Sequence, residues 1–554
     1  MARKSHKALQ ISEITDAIAS HVGGSGSISL MYTSRAFFCS AIRYVWGRGP
    51  IEAQNLLTLL GGITYTKTDR IESLRAIVPR PLPAGYFDRF NLYAPLVREL
   101  KYNLLVLLDE SNASPIAGSF HSKHLRFLID SVGSALLLPH LTQVTLDRPD
   151  ETTWRQDNLD LLLLLLPPSL ARLSVTERAD FSGKAESKRF FEFLGTRVFA
   201  ICPGIRDLFL FKRADTTAVR WEAIDNAWYP YDKWPTLKHL TSITFCGTVV
   251  SLEAIDWISE SRDLNSLKFK FLHRYNHSAF RRVTYPHDAF RNLRALCLEY
   301  CAMEAVISLW NTSIILQLEE LTVRSMLATR PNLLELFFRL LTNRSRQLTK
   351  VSLYKCAFMN YINLAPEGME CQPHFKLVEL SIDYIVMDGR NPAIRAIATL
   401  YPSLRSLTLE RYLTGLEELL QLPTLFPSLE YLALRLPDEL YSFEPLIKLP
   451  LRIPKSTVAS ALRLCTEVPF AMSDDSEPGP MFVYLWARFF CRWWPGMQCM
   501  PSPNYTFNMP SGVCTQVNEQ ILRLASEEPK ELFIRFLAAG PELGAVTAAT
   551  SLDD

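Results

Sequence analysis

The chain has 554 residues, 48% hydrophobic and 21% charged, a composition that excludes intrinsic disorder and a length beyond what one compact core supports. Lysine and arginine total 59 against 57 acidic residues, a formal net charge of +2, with no long basic run. That balance points away from nucleic acid and toward a protein partner of mixed charge.

Residues Met1 to Lys7 are basic, but no apolar core of a secretory signal follows them. Leu9, Ile11, Ile14, Ile18 and Val22 recur at roughly helical spacing and predict an amphipathic helix. Gly23-Gly24-Ser25-Gly26-Ser27 reads as a break, and a second apolar-rich segment runs from Ile28 to Trp46. Residues 54–103 read as linker helices and an N-terminal cap, with an opening strand at Val97-Arg-Glu-Leu100-Lys-Tyr102.

From there an apolar-x-x-apolar-x-apolar hexad recurs. It reads LTQVTL from Leu141, LARLSV from Leu170, IRDLFL from Ile205, LTSITF from Leu240 and LNSLKF from Leu264. It continues as LRALCL from Leu293, LEELTV from Leu318, LTKVSL from Leu348, LVELSI from Leu377, LRSLTL from Leu404 and LEYLAL from Leu429. The mean spacing is about 29 residues, a period that signals stacked structural repeats. Side chains alternate across a strand, so the last two apolar residues of each hexad should face a core and those between them should face out. Between hexads the spacing is helical, as at Leu333, Leu336, Phe337, Leu340 and Leu341, and at Ile394, Ile397 and Leu400. An aromatic-Pro turn precedes some hexads, at Tyr401-Pro402 and Phe426-Pro427; Trp234-Pro235 stands three residues early for its own.

Past Leu436 the period fades. Ser473 to Pro480 reads as a loop, and MFVYLWARFFCRWWP from Met481 reads as a buried helix or a cap, since Arg488, Arg492 and Pro495 interrupt it as a membrane span. The run Leu161 to Leu166 is also too short to cross a bilayer, so no membrane partner is expected. Residues 104–437 are therefore assigned to the repeats and 438–554 to a C-terminal cap and tail.

These hexads resemble the leucine-rich-repeat family of the longer, helix-backed type. That family often carries Asn or Cys three residues after the last strand leucine, where Cys301 and Cys356 stand. The resemblance implies an α/β leucine-rich-repeat solenoid, with a curved parallel sheet inside and helices outside. Residues 9–46 resemble an F-box, the small all-α module that plugs into the adaptor of SCF ubiquitin ligases. Leu9, Glu13, Ile14 and Ile18 match its first helix, Leu30 to Phe38 its second, and Tyr44-Val45-Trp46 close it. The usual proline before Glu-Ile is absent; Ser12 stands nearest and can cap a helix itself. The order of module and repeats resembles a large fungal family of F-box-like proteins. It implies a substrate receptor that meets an SCF adaptor through Leu9, Ile11, Glu13, Ile14 and Ile18, and a protein client through the repeats. The alternative is a leucine-rich-repeat scaffold with no ligase role, its N-terminal helices serving only as the cap that a solenoid requires.

The outward strand positions are where a client is expected: Asp147, Lys268, Lys270, Glu299, Arg324, Tyr354, Asp383, Glu410 and Arg435. No nucleophile elbow, P-loop, dinucleotide fingerprint or zinc-protease motif occurs, so neither catalysis nor a cofactor or metal is expected. His121 and His124, like His273 and His277, have helical spacing without a ligand cluster and read as surface residues. The eleven cysteines are scattered without a C-x-x-C pair, which suits reduced thiols in the cytosol or nucleus; Cys202, Cys246 and Cys465 read as small core residues. Five Asn-x-Ser/Thr sequons read as chance without an export signal.

Overall fold

The computed structural model describes residues 12–22, 24–67, 72–76, 78–103, 106–108, 127, 130–131, 137–148, 156–177, 184–213, 231–246, 252–270, 289–299, 301, 306–307, 309–310, 312–324, 327–328, 336–337, 340–341, 344–354, 357–358, 376–383, 393–413, 416–435, 462–467, 480–494, 497–500 and 511–526. They fall into two compact units, Met1–Leu293 and Arg294–Asp554.

The first unit opens with three helices, α1 (Ser12–His21), α2 (Gly24–Met31) and α3 (Arg35–Gly47). The glycine-rich stretch expected to break the chain instead starts α2. Glycine is needed there because a Cβ on Gly26 would fall 2.2 Å from Val22 Cγ1. The second break therefore falls at Tyr32 to Ser34, where the Ser34 hydroxyl accepts the Phe37 N–H and caps α3. Helix α1 packs through Thr15 and Ala19, and the Thr15 and Ser40 hydroxyls share a hydrogen bond of 2.9 Å.

Strand β1 (Ile51–Glu52) and α4 (Ala53–Leu57) follow, then β2 (Ile63–Lys67), β3 (Glu72–Ala76), α5 (Asp88–Tyr93), β4 (Glu99–Asn103) and β5 (Val106–Leu108). The stretch read as linker helices thus also contains strands. Ile63-Thr-Tyr-Thr carries β-branched and aromatic residues, and Gly62 supplies the positive φ of the turn before it. β2 and β3 pair antiparallel and β5 joins β3 in parallel, a small sheet apart from the repeats.

The repeat strands of this unit are β6 (Gln143–Arg148), β7 (Arg172–Glu177), β8 (Asp207–Arg213), β9 (Ser242–Cys246) and β10 (Ser266–Lys270). They form a parallel sheet in the order β1-β4-β6-β7-β8-β9-β10. The crossovers carry α6 (Gln156–Leu165), α7 (Lys184–Phe193) and α8 (Leu252–Ser259); α7 runs on through a π-helical turn, Leu194–Val198. Parallel neighbours need such crossovers, which cover one face of the sheet. Leu100, Val144, Leu173, Leu208, Ile243 and Leu267 stand side by side, all buried.

The second unit repeats the plan. Its strands are β11 (Ala295–Glu299), β12 (Glu320–Arg324), β13 (Leu327–Ala328), β14 (Lys350–Tyr354), β15 (Ala357–Phe358), β16 (Glu379–Asp383), β17 (Ser406–Leu413), β18 (Tyr431–Arg435), β19 (Arg463–Glu467) and β20 (Gln498–Cys499). The parallel sheet runs β11-β12-β14-β16-β17-β18-β19-β20, while β13 and β15 pair separately. Helices α9 (Ala393–Leu400), α10 (Leu416–Leu425), α11 (Pro480–Trp493) and α12 (Ser511–Ser526) accompany it. Leu296, Leu321, Val351, Leu380, Leu407 and Leu432 form the buried row here. The fold class is α/β, of the leucine-rich-repeat type.

The backbone shows how each hexad enters its strand. The N–H of its first apolar residue closes a tight turn onto the carbonyl three residues earlier, as from Leu404 to Tyr401 and from Leu429 to Phe426. The next two N–H groups both donate to one carbonyl of the preceding repeat: Arg405 and Ser406 to Val378, Glu430 and Tyr431 to Arg405. Register therefore passes from one repeat to the next through the main chain.

The repeats extend beyond residue 437, where the sequence placed a cap. Leu464 of β19 stands beside Leu432, and Cys499 of β20 beside Leu464. Helix α11 buries Trp486, Phe489, Phe490 and Trp493, and the Trp493 indole donates to the Leu419 carbonyl of α10 at 2.9 Å. Beyond β20, Asn518 of α12 accepts the Cys499 N–H at 2.7 Å and donates to the Cys499 carbonyl at 2.9 Å. Its side-chain amide thus satisfies both groups that a further strand would have taken.

Candidate protein-binding faces

Three outward positions alternate with the buried ones along the five-residue repeat strands of the second unit, such as β11, β12 and β14. The position before the inward leucine carries Glu320, Lys350 and Glu379 on neighbouring strands. Lys350 and Glu379 form an ion pair of 3.0 Å, and that bond raises the lysine's proton affinity against the opposing effect of burial. The middle position carries small residues: Cys297, Thr322, Ser352, Ser381, Thr408 and Ala433.

The last position aligns most of the client residues expected from the sequence. Glu299, Arg324 and Tyr354 are direct neighbours across β11, β12 and β14, and Asp383 pairs with Glu410 across β16 and β17. Arg324 holds a carboxylate oxygen of Glu299 at 3.5 Å and lies over the Tyr354 ring at 5.3 Å. Glu299 was expected to be reachable, yet it is only 6% exposed; alternation turns it outward, and the Arg324 side chain lies against it. Of the two, Arg324 is the side chain that remains exposed.

Arg435 does not continue this row from Glu410. A register shift between Leu409 and Leu413 pairs Arg435 with Leu413, and on its other side with Glu467. The side chains of Asp147, Asp383, Glu410 and Arg435 lie outside the described residues. In the first unit Lys268 and Lys270 are both half-buried on β10, in rows shared with Thr244 and Cys246.

The second candidate face is on the N-terminal helices. Leu9 and Ile11 lie outside the described residues. Ile14 is 37% exposed, Glu13 is exposed and Ile18 half-buried, because the packed side of α1 is Thr15 and Ala19. Two apolar side chains that the sequence did not single out join them: Ile28 on α2, and Tyr32, which is 88% exposed. Tyr32 sits where α2 ends, a boundary the sequence placed elsewhere.

No group of three His, Cys, Asp or Glu side chains able to hold a metal ion occurs among the described residues. Both histidine pairs, and the side chains of Cys246 and Cys465, lie outside them. Cys202 is buried, donates to the Pro167 carbonyl at 3.3 Å, and has its thiol pKa pushed up to about 12 by burial. Cys39 is exposed. Iodoacetamide at about pH 8, near the ordinary thiol pKa, should therefore modify Cys39 and spare Cys202 in the native protein. Peptide mass spectrometry reads the result; rapid modification of Cys202 would contradict its placement in the core.

No helix among the described residues is long and apolar enough to cross a membrane. No family model matches the chain, and no curated protein matches it. Similar solved structures include a TLR13 complex with ssRNA13, at 12% identity and a TM-score of 0.28, covering 79% of this chain and 67% of that one. They also include the Rad7 and Elc1 complex from yeast, at 13% identity and a TM-score of 0.30, covering 76% and 88%.

Proposed function

We propose that the chain is the substrate-receptor subunit of an SCF-type ubiquitin ligase, holding the adaptor on α1 to α3 and a protein client on the outward faces of its repeat strands. The observation that carries the adaptor half is the orientation of α1. A helix that served only to cap the repeats would turn its isoleucines inward; here Thr15 and Ala19 pack instead, and Ile14, Ile28 and Tyr32 face solvent. Exposed apolar side chains on a helical module suit a helical partner surface. The receptor carries out no covalent step of its own. Holding client and transferring enzyme on one assembly raises their effective concentration, and that is the whole of its contribution.

The test is co-purification of an SCF adaptor with the full-length chain. Ile14→Asp should reduce adaptor recovery by about tenfold or more, since a desolvated charge in an apolar interface costs well over 1.4 kcal/mol. Its melting should stay near wild type, because Ile14 is not part of the packed side of α1. Wild-type protein that recovers no SCF adaptor would leave the repeats as a scaffold with no ligase role.

A further inference from the structure

We infer that the outward face of β18 to β20 takes a client segment with a carboxylate and an apolar side chain two residues apart. The carboxylate is seated on Arg463 and Gln498, and the apolar group on Met500. The assignment rests on the reading of the outward strand faces as the client surface, and specifies where on that surface the client sits and what chemistry it brings.

Placement comes first. Leu462 and Leu464 are fully buried, so Arg463 between them faces out, and it is exposed. Gln498 stands beside it on β20, exposed between the buried Met497 and Cys499. The Met500 N–H donates to the Leu464 carbonyl at 2.8 Å, so the ladder runs one residue past β20. Alternation then turns Met500 out on the same side as Gln498. Met500 is 39% exposed, a large apolar side chain left partly in water at the edge of the face.

Charge decides what binds there. Arg294, Arg324, Lys350 and Arg405 each hold a carboxylate of a neighbouring repeat, those of Glu319, Glu299, Glu379 and Glu430, at 3.2, 3.5, 3.0 and 3.7 Å. Arg463 lies instead over the Tyr431 ring, 5.9 Å from its centroid. Stacking uses the flat face of a guanidinium and leaves the N–H groups of its edge for a carboxylate, which takes two of them in parallel. The Gln498 amide, one strand spacing or ~4.8 Å away, offers a further donor to the same oxygens. Two residues of extended chain span ~6.8 Å, the step from Gln498 to Met500. A client running alongside β20 therefore brings an acidic and an apolar side chain to both places at once. Tyr, Arg and Met are also the residue types that binding surfaces favour.

The test uses the purified full-length chain and fluorescent nine-residue peptides of alanine and serine, read by anisotropy. Glu and Leu are placed two apart in either order, against versions with Gln or Lys for the Glu and with Ser for the Leu. One order of the Glu/Leu peptide should bind about tenfold more tightly than its Gln version, the equivalent of one good charge pair, with the Lys version weakest. Arg463→Gln should erase that ratio. Arg463→Lys should lose most of it, because an ammonium neither stacks flat nor offers a fork. Met500→Ser should weaken the Glu/Leu peptide to the level of the Glu/Ser one and leave the Glu-to-Gln ratio intact. Equal affinity for the Glu and Gln versions, or a ratio that survives Arg463→Gln, overturns the inference. So does sedimentation that shows a dimer dispersed by Arg463→Gln, which would give the face to a second copy of the chain. Photo-crosslinkers placed in cells at Gln498 and at Thr322 separate it from the broader reading. Client capture at Thr322 alone moves the client along the sheet and removes this assignment, whereas capture at neither removes the client surface itself.

Discussion

Gly195→Ala should destabilise the first unit by about 3 kcal/mol, the upper part of the range for overpacking a core. The reason lies in the π-helical turn Leu194–Val198, which brings the Gly195 backbone against the Trp234 indole. A Cβ there would stand 2.0 Å from Trp234 Cδ1 and 2.3 Å from its Nε1. The indole cannot retreat. Phe191 stacks on it at 5.9 Å, and Tyr231, Trp257 and Phe199 meet it edge-on at 4.7, 5.0 and 5.1 Å. The buried Trp234 N–H has no hydrogen-bond partner among the described residues. Gly49→Ala is the matched control, since a Cβ at Gly49 meets nothing within 4 Å. Equal denaturation midpoints for the two variants would mean that the indole is not wedged.

Leu407→Ala should cost roughly 2–5 kcal/mol through lost burial and the cavity left behind. Leu407 is fully buried between Leu380 and Leu432 of the adjacent strands, so truncation opens the row on both sides. In a repeat array each strand is supported only by its neighbours, so the loss should be concentrated near β16 to β18. Hydrogen exchange checks this: amides of β16, β17 and β18 should lose protection before those of the first unit. An unchanged midpoint, or protection lost evenly along the chain, would contradict a stacked row.

Most of the repeat strands were legible because the hexad states their register. Every inward residue is large and apolar, and a one-residue slip would expose all of them. The two late strands were not legible, for a local reason. The stretch at β19 reads Ala461-Leu462-Arg463-Leu464-Cys465-Thr466, with Ala and Thr where other copies carry large apolar residues, and β20 has only two residues. Trp234-Pro235 looked out of register because its aromatic serves another purpose. The turn closing on Leu240 is set by Leu237, and Trp234 belongs to the nest around Gly195. On the candidate faces, alternation located Arg324 and Tyr354. It could not foresee the burial of Glu299, which depends on where the Arg324 side chain of the next strand lies. The helical stripe of α1 misled in the opposite sense. Periodicity says which residues share a face and not which face is packed, and the decisive contact was a hydroxyl pair, Thr15 with Ser40.

Asn518 has a consequence for how such a chain can grow. A parallel sheet with an unpaired last strand is half of a joint, and identical chains meeting head to tail at that joint would build an open filament rather than a closed particle. By taking both the N–H and the C=O of Cys499, one side-chain amide removes the joint at this end. Duplication within the array can lengthen the sheet, because every inserted repeat finds a strand on either side. A repeat appended after α12 would meet an edge already filled.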